Sequence, residues 1–514
     1  MKHLNRLFLF LASAVLLPAG AYAGTATIHP SPAGVAASPL YEVEVNGKPV
    51  FVYPCRVGDI YDANGAVRKD PPETTTAQPA AFCSFDMEGA VEVKVRLIGS
   101  AVMTPSDPVI RPLKSGVKSS IEADGLHFTI PNPGQYSVEP RGSTSTPVSP
   151  LLIFANPPET DIPNPKDPNV LFFGPGEHVI GWKSVKSGQT VYLAGGAVVY
   201  GHLIIGNAKG VKIMGRGILD SSRSPRKGER KMTNEFGRRD VQMHIGHCHD
   251  VLVEGICLVD SPAWTLHVLE SSDITIRNVK IITWRENGDG IDVNNSQRIH
   301  VSDCFLRTWD DALVVKATLG PPTGGKPKSR ADKWVPDDLA LYPAGLVRDI
   351  TFENCVVWLD RAHALEIGLE TSGTEIANIT YRNIDIIHDN HLAAIDIGIG
   401  DRARVHHILY ENIRIEDSHA GPLIRLYTGP CYTSIDNQMG LDYGPISDVT
   451  FNNVDVLTST KPRILLEAQS INPASTARID RILFQNLKIN GKPAGESAFS
   501  QELKGPIGGV RFTE

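Results

Sequence analysis

Hydrophobic and polar residues alternate along much of this chain, and the alternation changes character near residue 160. Ahead of that point lie short stretches such as Tyr41-Glu42-Val43-Glu44-Val45, Val91-Glu92-Val93-Lys94-Val95 and Gly125-Leu126-His127-Phe128-Thr129-Ile130, separated by turn residues. Successive side chains on a strand point to opposite faces, so each stretch reads as a half-buried antiparallel strand. Together they predict a small β-sandwich over residues 24–160. The Pro-rich runs Asn156-Pro157-Pro158 and Ile162-Pro163-Asn164-Pro165 then read as a linker.

Farther on the chain repeats itself. Two β-prone residues flank a third position, and a polar residue and an Asn follow. The pattern stands at Ile274–Asn278, Ile350–Asn354, Ile379–Asn383, Ile408–Asn412, Val449–Asn453 and Ile482–Asn486, with weaker copies at Val251–Gly255 and Ile299–Asp303. Successive starts are 23, 25, 51, 29, 29, 41 and 33 residues apart. The shorter intervals suit a leucine-rich repeat in length, but the leucines are missing. They fit one turn of a right-handed parallel β-helix with three short strands, predicted over residues 161–514. One coil cannot bury its inward side chains alone; neighbours stacked about 4.8 Å away can. The repeated Asn is expected to form a ladder of side-chain amides. Cys304 and Cys355 share a slot in successive copies, which predicts an inert core role. The interval of 51 residues demands a long loop, Thr318–Val347, of a length that suits function. Its Gly320–Lys326 segment has the skeleton of a phosphate-binding loop. Pro327 stands where that loop needs a hydroxyl, and so many prolines cannot open a helix.

The N-terminus has a separate character. Lys2 and Arg6 precede an apolar run from Leu7 to Leu17, and Ala21-Tyr22-Ala23 has the form of a cleavage site. Residues 1–23 therefore read as a signal peptide cleaved after Ala23, with a secreted or periplasmic product. The run is too short to span a bilayer and no later one reaches 18 apolar residues, so no membrane span is expected. The formal charge is −7, or −9 without the first 23 residues, which argues against a nucleic-acid partner. There are seven cysteines and no CxxC, so a zinc ribbon or thioredoxin motif is excluded; pairing of Cys55 with Cys83 stays open.

The strands that follow the Asn positions carry the chemistry. Aligned by repeat, Asn287-Gly288-Asp289-Gly290-Ile291-Asp292, Trp309-Asp310-Asp311-Ala312-Leu313 and Ala362-His363-Ala364-Leu365-Glu366 put Asp289, Asp311 and His363 in one column. Asp310 precedes the column by one place and points in an adjacent direction. Carboxylates one rung apart repel, so they should titrate as a coupled set with at least one raised pKa. That suits a site needing one protonated acid and one ionised base. Asp292 and Glu366 share a second column. Trp264, Trp284 and Trp309 are aromatic candidates near the column for stacking on a ligand ring. His244, His247 and His249 have metal-ligand chemistry, but alternate residues of a strand point apart, and no metal or other cofactor is expected.

These residues resemble a known pattern. Asn287-x-Asp289-Gly-Ile-Asp292, Asp310-Asp311 with Lys316 after it, His363, and Ser261-Pro262-Ala263-Trp264-Thr265-Leu266-His267 look like the β-helical glycoside hydrolases of family 28, the polygalacturonases. A sandwich ahead of the helix, left through Leu151–Pro157, looks more like family 49, the dextranases and isopullulanase. The resemblance implies an all-β, pectin-lyase-like solenoid and inverting hydrolysis of a polysaccharide or oligosaccharide by a monomer. Asp310 would be the general acid, Asp289 and Asp311 would activate water, and His363 would tune the acid or contact sugar. Asn287, Lys316, Arg361, Glu366, Asp396, Trp264 and Trp309 would bind substrate. Acid and base should then stand roughly 6.5–9.5 Å apart to admit water.

One departure bears on substrate. Polygalacturonases carry Arg-Ile-Lys one coil after the His, where this chain has Asp396-Ile397-Gly398. An anion there would repel a uronate, so a neutral or differently substituted glycan is expected, unless Arg361, Lys316 or Arg425 supplies a cation. Competing readings are a polygalacturonase-type pectin hydrolase, a lyase or epimerase on the same scaffold, and a non-catalytic glycan-binding solenoid.

Overall fold

The computed structural model describes residues 24–58, 77–98, 105–140, 149–225, 241–318, 345–390, 392–418, 421–431, 442–458, 460–470 and 477–513. The signal-peptide reading and nearly all of the Thr318–Val347 loop with its Gly320–Lys326 motif lie outside them.

Two sheets come first. One has six strands, including Val52–Gly58, Ala77–Glu88 and Leu151–Asn156, and the other five, including Tyr41–Val45, Val91–Leu97 and Gly125–Ile130. Their apolar faces meet in one core around Val43, Phe85, Val93, Phe128 and Ile153. From Val170–Phe173 to Ile507–Thr513, 31 described strands make a single continuous winding, the right-handed β-helix, parallel throughout except where Lys488–Ile489 meets Lys492–Pro493.

The strands of the repeat stack in the register that the sequence pattern requires: Ile274 on Ile299, then Ile350, Ile379, Ile408, Val449 and Ile482. Two places on, Phe352, Tyr381, Tyr410, Phe451, Phe484 and Phe512 stack ring on ring through the interior, with centroids 4.6–5.0 Å apart. That spacing is the rung itself. The Asn after each strand lies in the left-handed region, Asn278, Asn354, Asn383, Asn412, Asn453 and Asn486 all having φ between 52° and 56°. Asn tolerates this conformation better than other side-chain-bearing residues. The amide ladder forms where Asn412 donates to Asn383 and Asn453 to Asn412, both through Nδ2 to Oδ1. Cys304 and Cys355 are buried, and all seven thiols are free, so Cys55 and Cys83 are not paired. Cys55 faces the helix while Cys83 faces the sandwich core, which explains why neighbouring strands do not bring them together.

The N-terminal domain lies against one face of the helix. Leu151–Asn156 is buried at every position because it has two apolar environments. Leu151, Ile153 and Ala155 face the sandwich core, and Leu152 and Phe154 pack with Cys257, Ile282, Phe305, Val356 and Trp358 of the helix. Buried ions reinforce the joint. Arg111 binds Glu139 and Glu416, and His388 bridges Glu139 and Asp417. The covered strands Lys280–Ile282, Phe305–Thr308 and Val356–Leu359 lead directly into the turns that carry the candidate chemistry.

Candidate active site

Three turns meet at the edge of the helix. Ile291 pairs with Leu313 and Leu313 with Leu365, so Asp289, Asp311 and His363, each two residues earlier, fall in one column. Gly290 is required by space: a Cβ there would stand 2.3 Å from the Ala312 carbonyl oxygen. That close approach lets Gly290 N donate to Asp311 O at 2.8 Å, tying the turns together. Asp289, Asp310 and Asp311 each bring one carboxylate oxygen within 4.8 Å of the others. This is tighter than the expected 6.5–9.5 Å between acid and base. Two oxygens at that separation still admit one water, hydrogen-bonded to both at roughly 2.8 Å. Asp310 is half-buried, whereas Asp289 and Asp311 are buried.

The three carboxyls differ in their surroundings. Burial and the charge of Asp311 push Asp310 up to about 6, although Lys316 pulls the other way. Burial, Asp292 and Asp310 raise Asp289 well above the carboxylate range, and its Oδ1 has no hydrogen-bond partner among the described residues. Asp311 goes down despite burial, because the His363 imidazolium sits beside it. His363 donates to Asp311 Oδ1 twice, from its backbone N at 3.0 Å and from Nδ1 at 2.8 Å. Burial works against the His363 charge, but Glu366, Asp396 and Asp311 outweigh it and hold the ring at about 10. Asn287 Nδ2 donates to Asp310 Oδ2 at 3.3 Å, and the Asp311 N–H donates to Oδ1 at 3.1 Å. The set thus offers an acid that titrates near neutrality beside a carboxylate held ionised.

A second column lies alongside. Glu366 pairs in register with Asp396, and Asp396 with Arg425. Arg425 grips Asp396 with both arms, Nε to Oδ1 at 2.5 Å and Nη2 to Oδ2 at 2.8 Å, and Nη2 stands 3.3 Å from His363 Nε2. Asp396 is fully buried, and Arg425 and His363 lower its pKa against the cost of burial. Glu366, also fully buried, goes the other way through burial and the Asp396 charge. The reading of Asp396 as an anion that confronts substrate is therefore corrected. Its charge is spent on Arg425, whose side chain stays a quarter exposed.

Other candidates sort by burial. Trp309 is 1% exposed, packed against Gly58 of the N-terminal domain, so it does not stack on sugar. Trp284 is covered by Arg56 at 5.0 Å. Trp264 is buried edge-on to His267, with Lys316 Nζ 4.8 Å from its ring centre. Lys316 is itself buried, 2.8 Å from Glu370 and 3.8 Å from Asp292. Glu366, Asp396, Trp309 and Lys316 thus support the site from behind. Asn287, Arg361 and Arg425 remain partly exposed. His244, His247 and His249 diverge: His244 pairs with His267, His247 approaches Glu270, and His249 is exposed. The other triad with closely placed donor atoms here, His363, Glu366 and Asp396, already holds protein cations in His363 and Arg425. The pairing of Arg425 with Asp396 escaped the sequence pattern; the register 29 residues downstream would have found it, since Ile395 and Ile424 share a slot.

The fold has known relatives. A family model described as glycosyl hydrolases family 28 matches residues 192–493. The chain belongs to glycosyl hydrolase family 28. It is 23% identical over 296 residues to a polygalacturonase of Chamaecyparis obtusa, covering 55% of this chain and 50% of that protein. It is 24% identical over 279 residues to probable exopolygalacturonase B of Aspergillus terreus, covering 49% and 55%. The chain spans about half the length of these curated relatives. Dex49A from Penicillium minioluteum shares the fold at a TM-score of 0.61 and 17% identity over 92% of both chains, a span that takes in the N-terminal domain. The family 28 match starts inside the helix, so the sandwich is an addition to the part that defines the family.

Proposed function

We propose that this family 28 protein hydrolyses the glycosidic bonds of a polygalacturonate-type polysaccharide, with Asp310 as general acid. The observation that carries the reading is the divided protonation of adjacent carboxyls: Asp310 is poised at about 6 while His363 holds Asp311 ionised. A leaving alkoxide needs a proton, and the carboxyl with a pKa near the working pH delivers it best. Asp311 then draws a proton from water, with Asp289 as a second hydrogen-bonding partner. Both are buried, so they reach an anomeric carbon through a water rather than directly. This favours single displacement with inversion.

The uronate assignment rests on the names of the two curated relatives and on Arg425, which is paired with Asp396 and stays partly exposed beside His363. Such polymers lie outside the cell, which agrees with the leader-like segment of residues 1–23. Among the described residues no helix is long and apolar enough to cross a membrane.

Reducing-end release tests the proposal, with polygalacturonate, dextran and pullulan offered separately. Release from polygalacturonate that disappears in Asp310→Asn is expected. Activity confined to a neutral glycan removes the uronate assignment. An unsaturated, ultraviolet-absorbing product makes the protein a lyase. Proton NMR of the first-formed anomer separates inversion from retention.

A further inference from the structure

The N-terminal domain touches the helix where the three catalytic turns begin. Strand pairing sets Ile282 beside Arg307 and Thr308 beside Leu359, so the next residues, Trp284, Trp309 and Asp360, form one column at the mouths of the turns. Thr283 N donates to Arg307 O, and Asp360 N to Thr308 O, at 2.9 Å each, which fixes that register. The last residues of Val52–Gly58 lie across this column. Arg56 is ion-paired with Asp260 and stands 5.0 Å from the Trp284 ring centre. Gly58 N donates to Asp360 Oδ2 at 3.1 Å.

Gly58 is held to glycine by space. A Cβ there would stand 2.6 and 2.8 Å from two Trp309 ring carbons and 2.9 Å from Asp360 Oδ2. Neither neighbour has room to retreat, since Trp309 and Asp360 are 1% and 0% exposed. Asp360 is also held by Arg307, 3.3 Å away, whose guanidinium lies 3.7 Å over Trp358. From Trp309 the connection to chemistry is one bond long, because Asp310 follows directly. The Asp310 backbone is tied down by Thr308 Oγ1 at 2.6 Å and Gly288 O at 3.2 Å. Asp360 stands three residues before His363, in the adjacent turn.

We infer that the Arg56–Gly58 end of the N-terminal strand is a positioning element for the active site. It sets Trp309 and Asp360, and through them the places of Asp310 and His363. The sandwich is then a working part of the catalytic unit rather than an appended module. The inference rests on the hydrolase reading of Asp310, and its test includes one readout that does not.

The test uses the full chain with Gly58→Ala, and Arg56→Gln as a milder second variant. Positioning predicts that Gly58→Ala lowers kcat on polygalacturonate roughly 10- to 100-fold with KM changed less than about threefold, in line with the sensitivity of proton transfer to small misplacements. Arg56→Gln should lower kcat severalfold with KM again little changed. Unchanged kcat in both variants overturns the inference. Equal losses in kcat and in the folded fraction at the assay temperature also overturn it, because they show a purely structural joint. A crystal structure of Gly58→Ala gives the readout free of substrate: Trp309 and the Asp310 carboxyl should both be displaced. If they are unmoved, the inference fails even where activity falls. If wild type cleaves none of the glycans while Trp309 and Asp310 move, the hydrolase reading has failed and the mechanical link stands.

Discussion

Neutralising Arg425 tests the revised view of Asp396 most directly. The two side chains meet through two charge-assisted hydrogen bonds, 2.5 and 2.8 Å long, with Asp396 fully buried and the Arg425 side chain 25% exposed. At a charge separation of roughly 4 Å and an effective dielectric of about 20, the attraction is about 4 kcal/mol before desolvation. Removing one partner of a buried pair costs about 3–5 kcal/mol, because the other charge is left behind. Here the low end applies. His363 Nε2 stays 3.9 Å from Asp396 and continues to balance its charge. Arg425→Gln should therefore destabilise by about 3 kcal/mol, and Asp396→Asn by about 2 kcal/mol. The double variant, which sets Gln against Asn, should be close to the worse single variant, giving a coupling of about 2 kcal/mol. Chemical-denaturation midpoints of the four proteins measure it. A coupling under about 0.5 kcal/mol is the signature of a solvent-screened pair. It would refute the reasoning, return Asp396 to the cleft as a free anion and revive a neutral substrate. In parallel, kcat/KM on polygalacturonate should fall about 10- to 100-fold in Arg425→Gln, the worth of one hydrogen bond to a charged group, and recover in part with Lys.

Three other outcomes follow from the same geometry. With Asp310 at about 6, kcat/KM on polygalacturonate should fall about tenfold per pH unit above that value; a profile flat to pH 8 excludes Asp310 as the acid. His363 is held at about 10, above its usual 6.5, so its contribution to stability is complete below 6.5 and is lost as pH rises toward 10. Thermal melting should decline across that window in wild type and less in His363→Gln; equal declines remove His363 from the account. Thiol titration without reductant should find seven reactive groups in denaturant and at most Cys431 in the native protein, since the other six are buried; fewer in denaturant means a disulfide.

The β-helix was legible because its signal is redundant. Each coil repeats an inward pair and an Asn, so one misread coil leaves the register intact, and the ring stack from Phe352 to Phe512 follows from that register. The column of candidate site residues was legible for the same reason, since Asp289, Asp311 and His363 keep a fixed offset from the core positions Ile291, Leu313 and Leu365. Depth was not legible. Nothing in the local sequence separates Trp309, pressed under Gly58, from a tryptophan at a rim, because the covering residue lies some 250 positions earlier. The partner of Asp396 was missed for a related reason. Sequence comparison by column compares what replaces a residue, whereas charge is settled by what sits one rung farther on.

That rule about neighbouring rungs also separates two roles for Lys316. As a contact for a substrate carboxylate, it would have to reach the cleft. It is instead 3% exposed, between Asp292 and Glu370, and its charge lowers the pKa of Asp310, Asp289 and Asp311 alike. In the column itself His363 carries a compensating charge, but it is hydrogen-bonded to Asp311 and lowers the pKa of Asp310 less than Lys316 does. Lys316 is then the cation that keeps the Asp310 proton labile enough to leave. Lys316→Met should raise the Asp310 pKa and carry the alkaline limb of the rate profile upward from about 6, with KM little altered. Of the partners left behind, Glu370 has a side chain 31% exposed and can be solvated, whereas Asp292 is fully buried and would have to take up a proton, so the folded fraction of the variant is measured beside its rate profile. A KM rise with an unmoved limb would instead make Lys316 a substrate contact. A limb that moves to lower pH would mean that the neighbouring carboxyls, rather than Lys316, govern how readily Asp310 gives up its proton.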